Sequence, residues 1–514
     1  MGSVRSDVAH ALVGAVSAFV PKAGVPHEAG VEKSLDTART SAQCHLVFGS
    51  IAATKTFDDS YALDMAHADS VALFDLYRQV APAELFRLLL RQIGCKARAG
   101  IYSARLVMWM MMIQRLQPRG TLASSVAQLV EGRFDPLLSR CKRVREKHIG
   151  LSTGGYCQAR QHLPKLLVSR TMDELIERLR SRLLESGAVL SQRTYLLDGS
   201  SLQLEHESEL EKAYPPASNQ HGKSHWPVVR IVVLHDLETG LAERPYWGPF
   251  NGRKAVSEQA LAKLAMEHVP SDSVIVGDRN FGIFSTAYHT QQSGHKAVVR
   301  LTAVRAKSLW GGPISRQGEY TVRWRPSRWD GRNKNTPQAP PWPADASVEG
   351  RLIAWRVGRG KYKQWLYLFT TTSLPAEEVV ALYGRRWQIE TDLRSLKQTV
   401  SLYRICAHSA EMMEKELMVA VMAYNLVRAI MFQAARRAQI DPRQLSFTYA
   451  CNIVLDGYAQ VLAARTAKQQ QQKLDRMIDL VARCKLPNRT KRRSYPREVW
   501  GRGYRFPIKR REKN

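Results

Sequence analysis

The sequence predicts an α/β chain in which a mixed sheet is interrupted by a β-rich insertion and flanked by helical regions at both ends. Three observations predict it. Two apolar runs, Tyr195-Leu-Leu-Asp198 and Ser273-Val-Ile-Val-Gly-Asp278, each read as a strand ending in an acid. Stretches on either side, roughly 81–185 and 375–443, repeat apolar residues at helical spacing. Between the second strand and the later helices, residues 303–374 hold six of the chain's 11 Trp and a Pro-rich stretch from Thr336 to Pro343.

Residues 1–80 are rich in Ala, Ser and Val with weak periodicity and are left unassigned. From 81 to 188 the pattern is helical, broken at Pro118, Gly132 and Gly154-Gly155. Its most apolar run, Leu106-Val-Met-Trp-Met-Met-Met-Ile113, is too short to span a bilayer and reads as a buried helix. The cluster Arg140-Cys-Lys-Arg-Val-Arg-Glu-Lys147 gives this part a basic edge, with a solvated charged helix face as the equal alternative.

Residues 189–302 alternate strand and helix signals. After the strand to Asp198, Val228–Leu234 and Ala242–Trp247 flank an Asp236-Leu-Glu-Thr-Gly turn like a hairpin, with Asp236 placed to cap the turn backbone. A helix over 255–266, the strand to Asp278 and a strand at Lys296–Leu301 follow. Three strands, a helix and a fourth strand, with acids on the first and fourth, match a ribonuclease H-like order. The insertion at 303–374 carries strand-like pieces at Tyr320–Trp324 and Trp365–Thr370. Most of its rings are assigned to core packing, and Trp324 is the candidate for stacking on an unpaired base, worth about 1–3 kcal/mol in single-strand binding.

One helix is expected from about Ser373 to Val400, the segment that carries Glu390 being bounded as 375–410, since Pro375 and Glu377-Glu378 suit a first turn. At 3.6 residues per turn Tyr383, Arg386, Glu390, Arg394 and Lys397 share one face: an aromatic, three cations and a single acid. Asp392, about 200° around that helix from Glu390, faces away. Residues 411–485 continue as helices, with Leu417, Val421, Tyr424 and Val427 as a core stripe. The tail, 486–514, is dominated by Lys and Arg and suits phosphate without sequence preference.

The 514 residues carry 76 Lys and Arg against 46 Asp and Glu, a formal charge of +30, which favours a polyanionic partner, nucleic acid above all. No lipidation or amphipathic anchor motif supports a membrane. Seven scattered cysteines without a Cys-x2-Cys pair argue against a disulfide framework or zinc site and fit a reducing cytosol. Strand-end carboxylates beside a helix-borne glutamate suit a hard, oxygen-preferring cation such as Mg2+. Two such ions would activate a water or hydroxyl and stabilise the leaving oxygen of a phosphodiester.

The spacing Tyr383-x2-Arg386-x3-Glu390-x6-Lys397 resembles the signature of bacterial DDE transposases of the insertion sequence element 4 family. Asp198-Gly-Ser-Ser, Asp278-Arg-Asn-Phe, Tyr156-Cys-Gln-Ala-Arg160, Lys415-Glu-Leu and Ala423-Tyr-Asn-Leu-Val-Arg428 are also similar to that family's pattern. The likeness spans roughly residues 80–440.

The resemblance implies that Asp198, Asp278 and Glu390 hold Mg2+, two ions per site with Mn2+ able to substitute. It implies that Tyr383, Arg386 and Lys397 contact transposon-end phosphates; Arg279, by its place directly after Asp278, either reaches the same DNA backbone or screens the acids. It further implies binding of terminal inverted repeats, strand cleavage and strand transfer to target DNA, excision through a hairpin, and a synaptic homodimer. A metal-dependent nuclease on the same fold and an inactive DNA-binding regulator are the alternatives.

Overall fold

The computed structural model describes residues 71–486 apart from short segments at 97–99, 119, 139–140, 147–148, 186–192, 220–221, 328–329, 331–341 and 359–363. Outside the described residues lie the basic tail from 488, residues 1–70, Trp329, and Arg140 and Lys147 of the basic cluster.

The N-terminal part is helical: α1 (Leu73–Val80), α2 (Ala83–Gln92), α3 (Ala104–Leu116), α4 (Leu122–Val130), the single turn α5 (Lys142–Arg145), α6 (Gly154–Gln161) and α7 (Lys165–Glu185). Helix α1 lies in the region that sequence patterning left unassigned. Ser103 caps α3 by accepting from the Leu106 amide (3.3 Å), and Thr121 forms a capping box with Ser124 at the start of α4. Every residue from Leu106 to Ile113 is buried, so the Met run is core.

The α/β part begins with β1 (Thr194–Gln203) and α8 (Ser208–Ala213), followed by a minor pair, β2 (Ser218–Asn219) and β3 (Gly222–Lys223). Next come β4 (Val228–Asp236), β5 (Tyr246–Pro249), α9 (Glu258–Met266), β6 (Val274–Gly277), α10 (Phe284–Gln292) and β7 (Lys296–Leu301). The insertion contributes α11 (Ala303–Trp310), β8 (Gly318–Trp324), β9 (Val348–Val357) and β10 (Gln364–Thr370). Helix α9 starts later than its apolar periodicity suggested, because Ser257 caps it by accepting from the Ala260 amide (3.1 Å). The expected hairpin is present, with its second strand at Tyr246–Pro249 and not Ala242–Trp247: β4 and β5 pair antiparallel, and Asp236 accepts from the Thr239 amide (2.7 Å) within the turn.

All but the minor pair join one eight-stranded sheet in the order β5-β4-β1-β6-β7-β10-β9-β8. Strand β1 runs antiparallel to β4 and parallel to β6, and β6 runs parallel to β7. The insertion strands therefore extend the sheet instead of forming a unit of their own. By pairing antiparallel with β7, β10 covers backbone groups that would otherwise form an open edge.

The C-terminal part holds α12 (Ala376–Gly384), α13 (Trp387–Arg394), α14 (Ala410–Arg437), α15 (Phe447–Leu462) and α16 (Ala467–Ala482). The single helix expected over 373–400 is thus two. At the break, the amides of Arg385 and Arg386 bond three residues back, to Leu382 and Tyr383 (3.0 Å each), which tightens the turn and redirects the chain. Gly384 weakens helix continuation there, and Arg385 is drawn to Glu238 in the β4 turn (2.7 Å). Beyond Arg394, α13 widens into a π-helical turn at Ser395–Thr399.

Helix α14 is the axis of the helical core. Of its 28 residues 22 are buried, and the anticipated stripe of Leu417, Val421, Tyr424 and Val427 is part of a surface that is apolar nearly all round. By length and composition this helix would span a bilayer, yet 94% of its most apolar window is buried inside the protein. The core around it draws on α1 to α4, α7, α15 and α16, and on Val229, Ile231 and Val233 of β4. Full burial of one such aliphatic side chain stabilises by about 1.5–3 kcal/mol.

Two motif segments that resembled the transposase pattern tie these helices together. Glu416 of α14 accepts from both Arg115 of α3 and Arg160 of α6, while Lys415 donates to the Gln161 carbonyl at the end of α6 (2.9 Å).

Candidate active site

Strand pairing brings the first two acids together. In the parallel register of β1 and β6, Leu197 lies opposite Gly277, so the next residue on each strand is Asp198 and Asp278. Side chains alternate between sheet faces. Leu196 and Val276, two residues earlier, belong to the apolar cluster formed with Ile389 and Leu393 of α13. Asp198 therefore points to the face covered by the helix that carries Glu390. Leu197 and Ile275 point the other way, against Leu261, Ala262 and Ala265 of α9.

Arg386 stands over this group. Its guanidinium is 2.9 Å from Glu390 Oε1 and 4.0 Å from Asp198 Oδ2, and the charge of Asp278 also acts on it. Burial works against the guanidinium's charge, but Tyr383, Glu390, Asp278 and Asp198 together hold its pKa above the ordinary value. Asp198 is less well matched. Burial, then the neighbouring Asp278, push its carboxyl up to about 7, against the opposing pull of Arg386 and the Gly199 amide.

The other residues of the signature fall at different depths. Lys397, on the π-helical turn, donates to Ser200 Oγ and the Ser201 carbonyl (3.1 Å each), which sets it beside the Asp198-Gly-Ser-Ser segment. Burial lowers its pKa. Tyr383 is buried in the apolar cluster under the sheet, near enough to Arg386 for its charge to be felt. Arg279 is half-buried directly after Asp278, and Arg394 is exposed.

Trp324 requires a correction. It points inward from β8, is 6% exposed, and packs edge-on against Phe369 (4.9 Å) and Phe284 (6.3 Å). Its ring is core, because alternation along β8 turns Val322 and Trp324 toward the same apolar cluster. It has no free face for a base.

Two further acids near these elements lie outside the group. Asp272 is exposed and pairs with Lys296 (3.0 Å). Asp392 is 1% exposed, on the far side of α13, where Arg443 (2.6 Å) and Arg428 both pair with it.

Patterning gave no warning of Glu258 and Asn280. Glu258 opens α9 on the sheet face opposite Glu390, and its charge acts on both Asp198 and Asp278. It accepts from the Asn280 side-chain amide. A first-turn glutamate is ordinary at a helix start, so only the unusual Gly directly after Asp198 hinted that something packs there.

The donor chemistry fits a hard divalent cation, since two adjacent carboxylates share one arginine as counter-charge and all donors are oxygen. The cage is not preassembled: among the described residues no three acidic, His or Cys groups stand ready around one point, and Glu390 turns to Arg386.

Residues 190–426 match the protein family described as Transposase DDE domain, a span that contains all three acids and the cationic stripe. The transposase InsG of insertion sequence element IS4 from Escherichia coli (strain K12) is 26% identical over 325 residues, covering 60% of this chain and 68% of that protein. With Asp198 and Asp278 on neighbouring strands and Arg386, Glu390 and Lys397 grouped over the same sheet face, the chain is similar to the DDE transposases of the insertion sequence element 4 family.

Proposed function

We propose that the protein binds the terminal inverted repeats of its insertion sequence and catalyses metal-dependent strand cleavage and strand transfer. The observation that carries this reading is the parallel register that sets Asp198 beside Asp278 on the face covered by the Glu390 helix. The strand order and directions of β1, β4, β5, β6 and β7 support a ribonuclease H-like core as its frame.

Asp198, Asp278 and Glu390 would hold Mg2+, which supplies activation of the attacking oxygen and charge stabilisation of the leaving one. Arg386, released from Glu390, turns its planar fork to a phosphate, and Lys397 offers a compact charge at the mouth of the same site. Arg279 adds a third cation next to Asp278. Asp198 must give up its proton before it becomes a full ligand, so cation binding strengthens as pH rises toward and past about 7. Water is the first nucleophile and a DNA 3′-hydroxyl the next, with excision through an end hairpin and a synaptic homodimer following from the family likeness.

The test is cleavage of a duplex carrying the flanking inverted repeat, with Mg2+ and with EDTA, for wild type, Asp198→Ala and Glu390→Gln. Nicking at the repeat boundary should require Mg2+ and fall by at least about 10³-fold in both variants, equivalent to about 4 kcal/mol of barrier, while end binding persists. Full activity in Glu390→Gln would remove that residue from the ligand set. Joining of the cut end to a plasmid separates a transposase from a nuclease.

A further inference from the structure

We propose that Glu258 and Asn280 are positioning residues, forming a strap across the back of the sheet that fixes the separation of Asp198 and Asp278. The inference rests on the catalytic reading of those two acids. Each acid is anchored in the same manner: Asp198 Oδ1 accepts from the Gly199 amide (2.8 Å), and Asp278 Oδ1 accepts from the Asn280 amide (2.8 Å). Glu258 touches both anchors. Its carboxylate accepts from the Asn280 side chain, and its end packs flat on Gly199, where an added Cβ would lie 2.7 Å from Cδ and 2.9 Å from Oε1. Gly199, lacking a Cβ, leaves the space that the end of the Glu258 side chain occupies.

The rest of the helix start is tied down as well. Gln259 Nε2 donates to the Asn280 carbonyl (3.0 Å) and Oδ1 (3.1 Å). Arg230 of β4 donates to the Val256 carbonyl (2.8 Å), and Ser257 caps the helix. Because α9 lies on the face away from Glu390, Glu258 acts through the two acids and not as a further ligand. Magnesium demands near-ideal octahedral geometry with oxygen at about 2.0–2.1 Å, so a small change in carboxylate spacing weakens binding.

The experiment uses the full chain without DNA and titrates Mn2+ by electron paramagnetic resonance, alongside the Mg2+ dependence of end cleavage. Glu258→Ala should weaken Mn2+ binding about tenfold and raise the Mg2+ concentration for half-maximal cleavage similarly. Glu258→Gln, whose amide oxygen still accepts from Asn280 and fills the same space, should bind nearly as wild type. Asn280→Ala, which keeps the backbone anchor on Asp278, should shift both readouts the same way by a smaller factor and serves if Glu258→Ala does not fold. Wild-type Mn2+ affinity in Glu258→Ala or in Asn280→Ala, or a Glu258→Gln loss as large as that of Glu258→Ala, overturns the strap. If wild type binds no Mn2+ that Asp198→Ala removes, the catalytic reading fails and the strap falls with it.

Discussion

Asp392 is fully buried and Asp198 partly so, and their electrostatic environments are opposite. Asp392 lies among cations: Arg443 contacts both of its oxygens (2.6 and 3.1 Å), Arg428 contacts one, and Arg428 in turn bonds Tyr424 (2.7 Å). Burial alone would raise its pKa, but the two arginines override it and leave the carboxyl below its usual range. Asp198 shares its site with another acid and a single arginine that Glu390 also holds, and its carboxyl is pushed up to about 7. Asp392 is neutralised by the protein itself, whereas Asp198 is left short of positive charge, as the proposed ligand role requires. The difference separates the ion-paired side of α13 from the side where cation binding is proposed.

The buried side also sets where the open side points. Tyr424 donates to the Gly240 carbonyl (3.0 Å), and Asn425 both accepts from the Ala242 amide (2.8 Å) and donates to its carbonyl (2.7 Å). The segment Ala423–Arg428 therefore clamps the β4 turn and the back of α13 onto the central helix α14.

The sharpest way to break the comparison is Asp392→Ala, which leaves two buried arginines without their acid. It should cost about 3–5 kcal/mol of stability, read as a lowered denaturation midpoint, and a loss below 1 kcal/mol would show that the network is not holding α13. Gly240→Ala follows. The backbone there has φ +75°, and a Cβ would lie 2.2 Å from Arg443 Nη1. A loss of about 1–3 kcal/mol is expected, smaller than for Asp392 because the arginine can shift while keeping its partner.

The smallest effect should have the opposite sign. The folded pKa of Asp198, about 7, lies above its unfolded value near 3.9. Proton retention thus stabilises the folded state fully below about pH 4, and this contribution is lost as pH rises to about 7. Asp198→Asn in EDTA should then melt higher than wild type at pH 8, by about 2 °C or more, with the gap closing as pH falls through 7. A gap that does not vary with pH would mean that Asp198 is not forced to carry an uncompensated charge.

Much of the candidate site was legible because its signals are local. An apolar run closed by an acid located both strands, although only Asp278 follows its strand's end while β1 runs on past Asp198 to Gln203, and steps of three and four picked out Arg386, Glu390 and Lys397. Asp392 was assigned to the opposite face on the same spacing, and its two arginine partners bear that out. Trp324 was misjudged because a Trp in a strand has the same local pattern whether its ring faces solvent or a neighbouring element.

What the sequence determined by itself, then, is the element order, the polyanion-directed charge and the residues of the cationic stripe, all properties of spacing and composition within a few turns or strands. Tertiary structure alone decided the break at Arg385–Arg386, the joining of the insertion to the sheet edge, the burial of Trp324 and the meeting of Glu258 with Gly199 and Asn280. Each of those depends on which surfaces distant segments present to one another, and that is fixed by strand pairing and burial over the whole chain, not by any local pattern.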